Sequence, residues 1–170
     1  MKNSSRLAVL IGLGFCAIGL DASLAGRAHA QFFYSPPPPL MGQPSFHLYS
    51  VPGVIDGVVQ TLFACTNTTS ANIRVGVELF GAAGGAAAND PSASSLDILP
   101  GATMIFGTGP TVWIGIDSNV GGAIGRGSAR ILATARSGII CSAFLADPTT
   151  APPTSMASLS VVKQNTQQGD

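Results

Sequence analysis

Two histidines, His29 and His47, are the only imidazoles in the chain, and only His47 lies beyond the first 30 residues. A serine or cysteine nucleophile in the body of the chain would therefore have to use His47 as its base. The segment Phe46-His47-Leu48-Tyr49 carries no nucleophile motif. Blue-copper sites need two histidines and a cysteine, and catalytic zinc sites mostly need two or three histidines. Neither set can be assembled, so His47 reads as a histidine on a strand surface, and no metal or cofactor is expected. Glycoside hydrolysis needs only two carboxylates. Asp56, Glu78, Asp90, Asp97, Asp117, Asp147 and Asp170 are available, but no pair is marked by local pattern. A carboxylate-based hydrolase is the enzymatic alternative to a non-enzymatic reading.

Three further patterns carry weaker chemistry. Gly121-Gly122-Ala123-Ile124-Gly125-Arg126-Gly127 looks like a phosphate loop but lacks the Gly-Lys-Ser/Thr ending and the strand–turn–helix context that such loops require, so it reads as a turn. Asp117-Ser118-Asn119 resembles half of a calcium loop, with no acidic residue following within twelve positions. Asn67-Thr68-Thr69 fits the glycosylation sequon. Arg130 and Arg136 fall on the face opposite Ala129, Ile131 and Ala133, with Arg126 in the preceding turn. Guanidinium groups so placed could hold an anionic sugar or phosphate; a solvated outer face is the plainer expectation.

The chain begins with an export pattern. Lys2 and Arg6 precede fourteen apolar or small residues, 7–20. Fourteen is short of the ~20 residues a helix needs to cross a bilayer and suits the apolar core of a signal peptide. Ala28-His29-Ala30 places small residues where signal peptidase needs them, predicting cleavage after Ala30, with Ser23-Leu24-Ala25 as a second candidate. Lipid attachment at Cys16 is the rival, opposed by the bulky Phe15 before it. Removing residues 1–30 takes Lys2, Arg6, Arg27 and Asp21 with it. Of eight basic and eight acidic side chains, five and seven stay, a net charge of −2. That balance gives no footprint for nucleic acid, and no remaining segment approaches the length of a transmembrane helix. The expected address is extracellular or periplasmic.

Cys16 leaves with the leader, so Cys65 and Cys141 remain as an even pair in an oxidising compartment and are expected to form a disulfide. Residues 31–44, with Pro36 to Pro39 in sequence, read as a Pro-rich tail or spacer. From residue 45 the apolar pattern has a period of two. Ile73, Val75, Val77 and Leu79 alternate with Arg74, Gly76, Glu78 and Phe80, the signature of a half-buried strand. The same test marks Val112, Ile114 and Ile116, and also Ala129, Ile131 and Ala133. Further strands are expected at 46–51, 57–66, 94–99, 102–107, 138–146 and 157–163, with Gly, Pro, Asn and Asp between them. Ser137-Gly138 reads as a tight hairpin turn.

About eight or nine short strands predict an all-β domain, a single antiparallel β-sandwich over residues 45–164, with residues 165–170 as a polar tail and a small barrel as the alternative. A bridge between an early and a late strand resembles that of immunoglobulin-type sandwiches, in which it joins the two sheets. The resemblance is architectural only: Trp113 follows Cys65 by 48 residues, and Ile139 stands where a tyrosine would be. With Val112, Ile114 and Ile116 facing inward, Trp113 would face outward, and Phe80 is likewise on the outer side of its strand. Exposed aromatics stack on ligands and partners. The expected role is a secreted or periplasmic module with a binding or structural function. Its contact surface would be built from Trp113, Phe80, Arg130 and Arg136, with an extracellular protein or glycan as partner.

Overall fold

A computed structural model describes residues 35–112 and 114–164. Its strands are β1 (Phe46–Ile55), β2 (Gln60–Asn67), β3 (Ile73–Gly81), β4 (Leu96–Ile98), β5 (Thr103–Gly107), β6 (Ser118–Asn119), β7 (Arg126–Ala133), β8 (Ile139–Ala146), β9 (Met156–Leu159) and β10 (Val162–Lys163). They form two five-stranded sheets, β10-β1-β7-β3-β4 and β6-β5-β2-β8-β9, here sheet one and sheet two. All pairings are antiparallel except β5–β6. The architecture is the expected β-sandwich, not a closed barrel. Only β3–β4, β5–β6 and β8–β9 follow one another within a sheet; every other connection crosses between sheets. The core is the layer between them, where Val51, Val75, Val77, Leu79 and Ile131 meet Phe63, Cys65 and Phe106.

Alternation explains this layer. Successive side chains leave a strand on opposite sides, so Val75, Val77 and Leu79 all point inward from β3, beside Ala129, Ile131 and Ala133 of β7. Three polar ties fasten one sheet to the other. The Tyr49 hydroxyl on β1 donates to the Ile139 carbonyl at 2.5 Å. The Asn67 amide on β2 donates to the Ile98 carbonyl on β4 at 2.8 Å. The Thr61 hydroxyl exchanges hydrogen bonds with the Ile55 backbone, donating to its carbonyl and accepting from its N–H. Buried polar groups of this kind are costly unless paired, and pairing them across the layer fixes the register between sheets.

Asn67 makes its full complement. Its amide nitrogen donates to Ala71 and Ile98, and its oxygen accepts from the backbone and hydroxyl of Thr69. It has no exposed surface. The sequon Asn67-Thr68-Thr69 is thus a buried turn, not a glycan acceptor in the folded chain.

Several expectations are corrected. The disulfide forms, but within sheet two. Cys65 and Cys141 face each other on neighbouring β2 and β8, with Cα atoms 4.2 Å apart, the close approach of a pair not joined by backbone hydrogen bonds. It staples two strands of one sheet, unlike the immunoglobulin arrangement. Ser137-Gly138 closes no hairpin, because β7 and β8 belong to different sheets. The expected strand 157–163 divides into β9, on sheet two, and β10, on sheet one.

Residues 112 and 114–116 form no strand. Val112 is 65% exposed. Gly107, Gly109, Pro110 and Gly115 punctuate the segment, and it folds back over sheet two instead of extending it. A Cβ at Gly107 would lie 2.8 Å from Ile116 and 3.1 Å from Leu62, so the missing side chain is what lets Ile116 approach.

The bridge closes a 76-residue separation, for which chain-entropy reasoning gives about 4.5 kcal/mol of stabilisation. The variant Cys65→Ala/Cys141→Ala should lose a large part of this, read as a lower unfolding free energy in urea with a steeper slope, because the unbridged denatured chain exposes more surface. A loss below about 1 kcal/mol would contradict the bridge's stabilising role.

Candidate functional site

Of the residues singled out from the sequence, His47, Glu78, Phe80 and Arg130 lie on the outer face of sheet one. Side chains there lie in rows across β1, β7 and β3: Pro52, Ser128 and Phe80; then Ser50, Arg130 and Glu78; then His47, Leu132 and Gly76. An outer sheet face is ordinarily solvated. This one is covered. Residues 35–44, expected as a spacer, lie across it as a strap. Leu40 is completely buried, and the bare Gly76 is its seat: a Cβ there would fall 2.9 Å from Leu40 and 2.7 Å from the Pro91 carbonyl oxygen. Met41 and Gly42, with φ of 48° and 79°, turn the strap back on itself, and Leu40 and Gln43 exchange backbone hydrogen bonds of 2.9 and 3.0 Å. The Ser45 hydroxyl donates to the Pro38 carbonyl at 2.7 Å, and the Met41 amide to the Ser92 hydroxyl at 2.8 Å.

Arg130 is the centre of this face. Its side chain is 2% exposed and forms an ion pair with Glu78, itself 7% exposed, directly across the strand pair. One terminal nitrogen donates to the Ser35 carbonyl at 2.9 Å. The guanidinium carbon also lies 5.4 Å from the centre of the Phe80 ring, within cation–π range. A charge taken out of water needs such compensation. Here the carboxylate, the strap carbonyl and the aromatic face supply it.

Beside this pair, the His47 Nε2 lies 3.1 Å from both the Tyr49 carbonyl and the Ser50 hydroxyl, and that hydroxyl accepts from Gln164 at 2.8 Å. Burial, followed by the positive charge of Arg130, lowers the His47 pKa to about 4, against a smaller raising effect of the Tyr49 carbonyl.

Where β1, β3 and β7 meet, beyond the Ser128 row, a cavity of about 500 Å³ opens to solvent. Val54, Phe80, Gly81, Arg126, Gly127 and Ser128 are among its lining residues. This volume lies within the range of ligand pockets.

The four proposed contact residues separate. Arg130 is not solvated: it is buried and ion-paired. Phe80 is on the outer side, as alternation required, but it is buried beneath Arg130 rather than exposed. Arg136 is exposed and stacks 4.2 Å over the Phe46 ring, away from Arg130. Trp113 lies outside the described residues. Leu40, Gly76 and Ser35 were missed. The available signal was Gly76, a side-chain gap in the middle of an otherwise strong strand, which marks a close approach.

Several acidic groups are used structurally. Asp97 pairs with Arg74 at 2.5 Å, and Asp117 accepts from the Ile105 amide at 2.6 Å. Asp147 accepts from Thr149, Thr150 and Thr154, led by the Thr154 hydroxyl, which together hold its carboxyl well below the usual range. Among the described residues no group of three or more His, Cys, Asp or Glu gathers as a metal site, and no helix is long and apolar enough to cross a membrane. Compared with protein-family models, curated proteins and solved structures, the chain matches none.

Glu78→Ala should destabilise the protein by about 3–5 kcal/mol, because it leaves Arg130 buried without its counter-charge, whereas Glu78→Leu/Arg130→Met should cost clearly less than Glu78→Ala. Chemical denaturation of both variants checks this, and equal losses would refute it. His47 has a lower pKa folded than the ordinary 6.5, so the folded state disfavours its charged form. Its contribution is fully present above pH 6.5 and is lost as pH falls toward 4, with unfolding taking up close to one proton in that window. His47→Gln should flatten the stability-versus-pH profile between pH 4 and 6.5; an unchanged slope would exclude His47 as its source.

Proposed function

We propose that this chain is an exported, disulfide-braced module that works by contact rather than catalysis, using the outer face of sheet two. One observation carries this reading: the five strands of sheet two contain no charged side chain, whereas sheet one contains Arg74, Glu78, Asp97, Arg126, Arg130 and Lys163. The open outer rows of sheet two run Thr103, Thr66 and Ile140, then Ile105, Ala64 and Ser142, while in the next row Gly107 and Leu62 are buried beside Ile116. Ile140 is 58% exposed, and the Thr66 and Thr103 hydroxyls bond at 2.7 Å. A neutral surface mixing hydroxyls with aliphatic groups suits a protein or an uncharged glycan, because little charge has to be desolvated on docking.

Export is supported by the disulfide, since thiols in reducing compartments stay unpaired, and by the leader pattern in residues 1–30. The contact role is supported by the structural use of the acidic groups described above.

The exported protein should have the mass of residues 31–170 less the two hydrogens of the disulfide. A photoreactive residue at Ile140 should give a discrete adduct in the source cell, and one at exposed Arg136 should not. Full-length protein with free thiols would refute export; equal labelling at both positions, or none at Ile140, would refute the contact face.

A further inference from the structure

We propose that the cavity where β1, β3 and β7 meet binds an apolar monocarboxylate, its anionic head held by Arg126 and Ser128 and its body lying in the recess. Three observations carry this. First, the two polar groups are placed together. Arg126, Ser128 and Arg130 alternate onto the outer side of β7, and Arg126 and Ser128 both line the cavity. Second, both groups are unused. Arg74 and Arg130 are each paired with a carboxylate. Among the described residues the exposed Arg126 guanidinium forms no ion pair, not even with Asp56, whose amide joins the neighbouring Gly125 carbonyl, and the Ser128 hydroxyl forms no hydrogen bond. Third, the remaining walls are apolar: Ile55, Phe80 and Ala82 line the cavity with the bare backbone of Gly81 and Gly127.

Charge complementarity sets the ligand class. Arg126 is the charged residue of the lining, and the charge of nearby Arg130 is already matched by Glu78. A guanidinium offers two parallel N–H donors, which fit the two oxygens of a carboxylate, and the Ser128 hydroxyl adds a third donor. A doubly charged phosphate would bring a second negative charge that no lining residue balances. The volume of about 500 Å³ leaves room for a hydrocarbon or aromatic body behind the head, and an apolar recess with few convergent polar groups is the usual form of a small-molecule site. This inference concerns sheet one and stands or falls apart from the contact face proposed on sheet two.

Titration of the exported protein with monomeric decanoate, followed by nuclear magnetic resonance, tests it. The expected result is a saturable shift of the Ala82 methyl and the Ser128 amide. Decanoate should bind the wild type about tenfold or more tightly than decanol does, the value of a hydrogen bond to a charged group. Arg126→Ala should remove that preference and leave decanol binding unchanged, and Ala82→Trp should block both ligands. Arg126 and Ala82 are exposed, so both variants should keep the wild-type amide spectrum. Three results would overturn the proposal. The first is no saturable shift in the wild type. The second is equal affinity for decanoate and decanol in the wild type, which removes the role of the cation without recourse to a variant. The third is decanoate binding that survives Ala82→Trp undiminished, which places it outside the cavity.

Discussion

A buried guanidinium cannot be left without a counter-charge, and that requirement organises the outer face of sheet one. Arg130 is among the largest fully buried side chains. Its Nε meets Glu78 across the β3–β7 ladder, and a terminal nitrogen meets the strap at Ser35. The carboxylate neutralises the charge, but the strap is what keeps water from both. Without residues 35–44 the pair would be an exposed cross-strand ion pair, worth a fraction of a kcal/mol. With them it becomes a site where removing either partner is costly. Covering also changes the neighbours. Leu132 and Leu40 are buried on a face that alternation assigns to solvent, and His47 is pressed toward its neutral form. The sandwich therefore has two apolar layers: the one between its sheets and a thinner one beneath the strap.

The first layer was legible in the sequence. Ile73, Val75, Val77 and Leu79 are enough residues to separate period two from a helical repeat, and Ala129, Ile131 and Ala133 give the matching strand. Both patterns depend on the chain's local geometry alone. The second layer was hidden, because its parts come from distant segments. Gly76, Glu78 and Phe80 look like a polar, solvated edge until Leu40 and Arg130 are placed over them. Proline-rich sequence reads as a spacer because it cannot join a ladder, yet packing against a sheet requires no ladder bonds. The same limit explains residues 112–116. Three alternating apolar residues imitate a strand, but Pro110 and the surrounding glycines let the segment fold over Gly107. Cysteine pairing was legible from the even number left after the leader pattern, whereas its placement within one sheet depended on strand order, which no local pattern encodes.

The two sheets divide the protein's chemistry unequally. Every charged side chain of the strands belongs to sheet one, and its most buried pair is closed off by the strap. Sheet two is neutral throughout, braced by the cross-strand bridge, with Leu62 covered by the returning segment at Ile116. Sheet two thus keeps its strands free of charge, while sheet one uses its charged side chains in pairs such as Arg130–Glu78 and Arg74–Asp97. The polar ties at Tyr49, Thr61 and Asn67 hold these unlike halves in a single register.

The central claim is that residues 35–44 belong to the folded unit. Native-state hydrogen exchange at the Leu40 and Gln43 amides tests it most directly. Their mutual hydrogen bonds form a turn too small to protect them in isolation. The account predicts protection comparable to that of the β1 and β7 amides beneath the strap. Exchange at the rate of an unstructured peptide would contradict it.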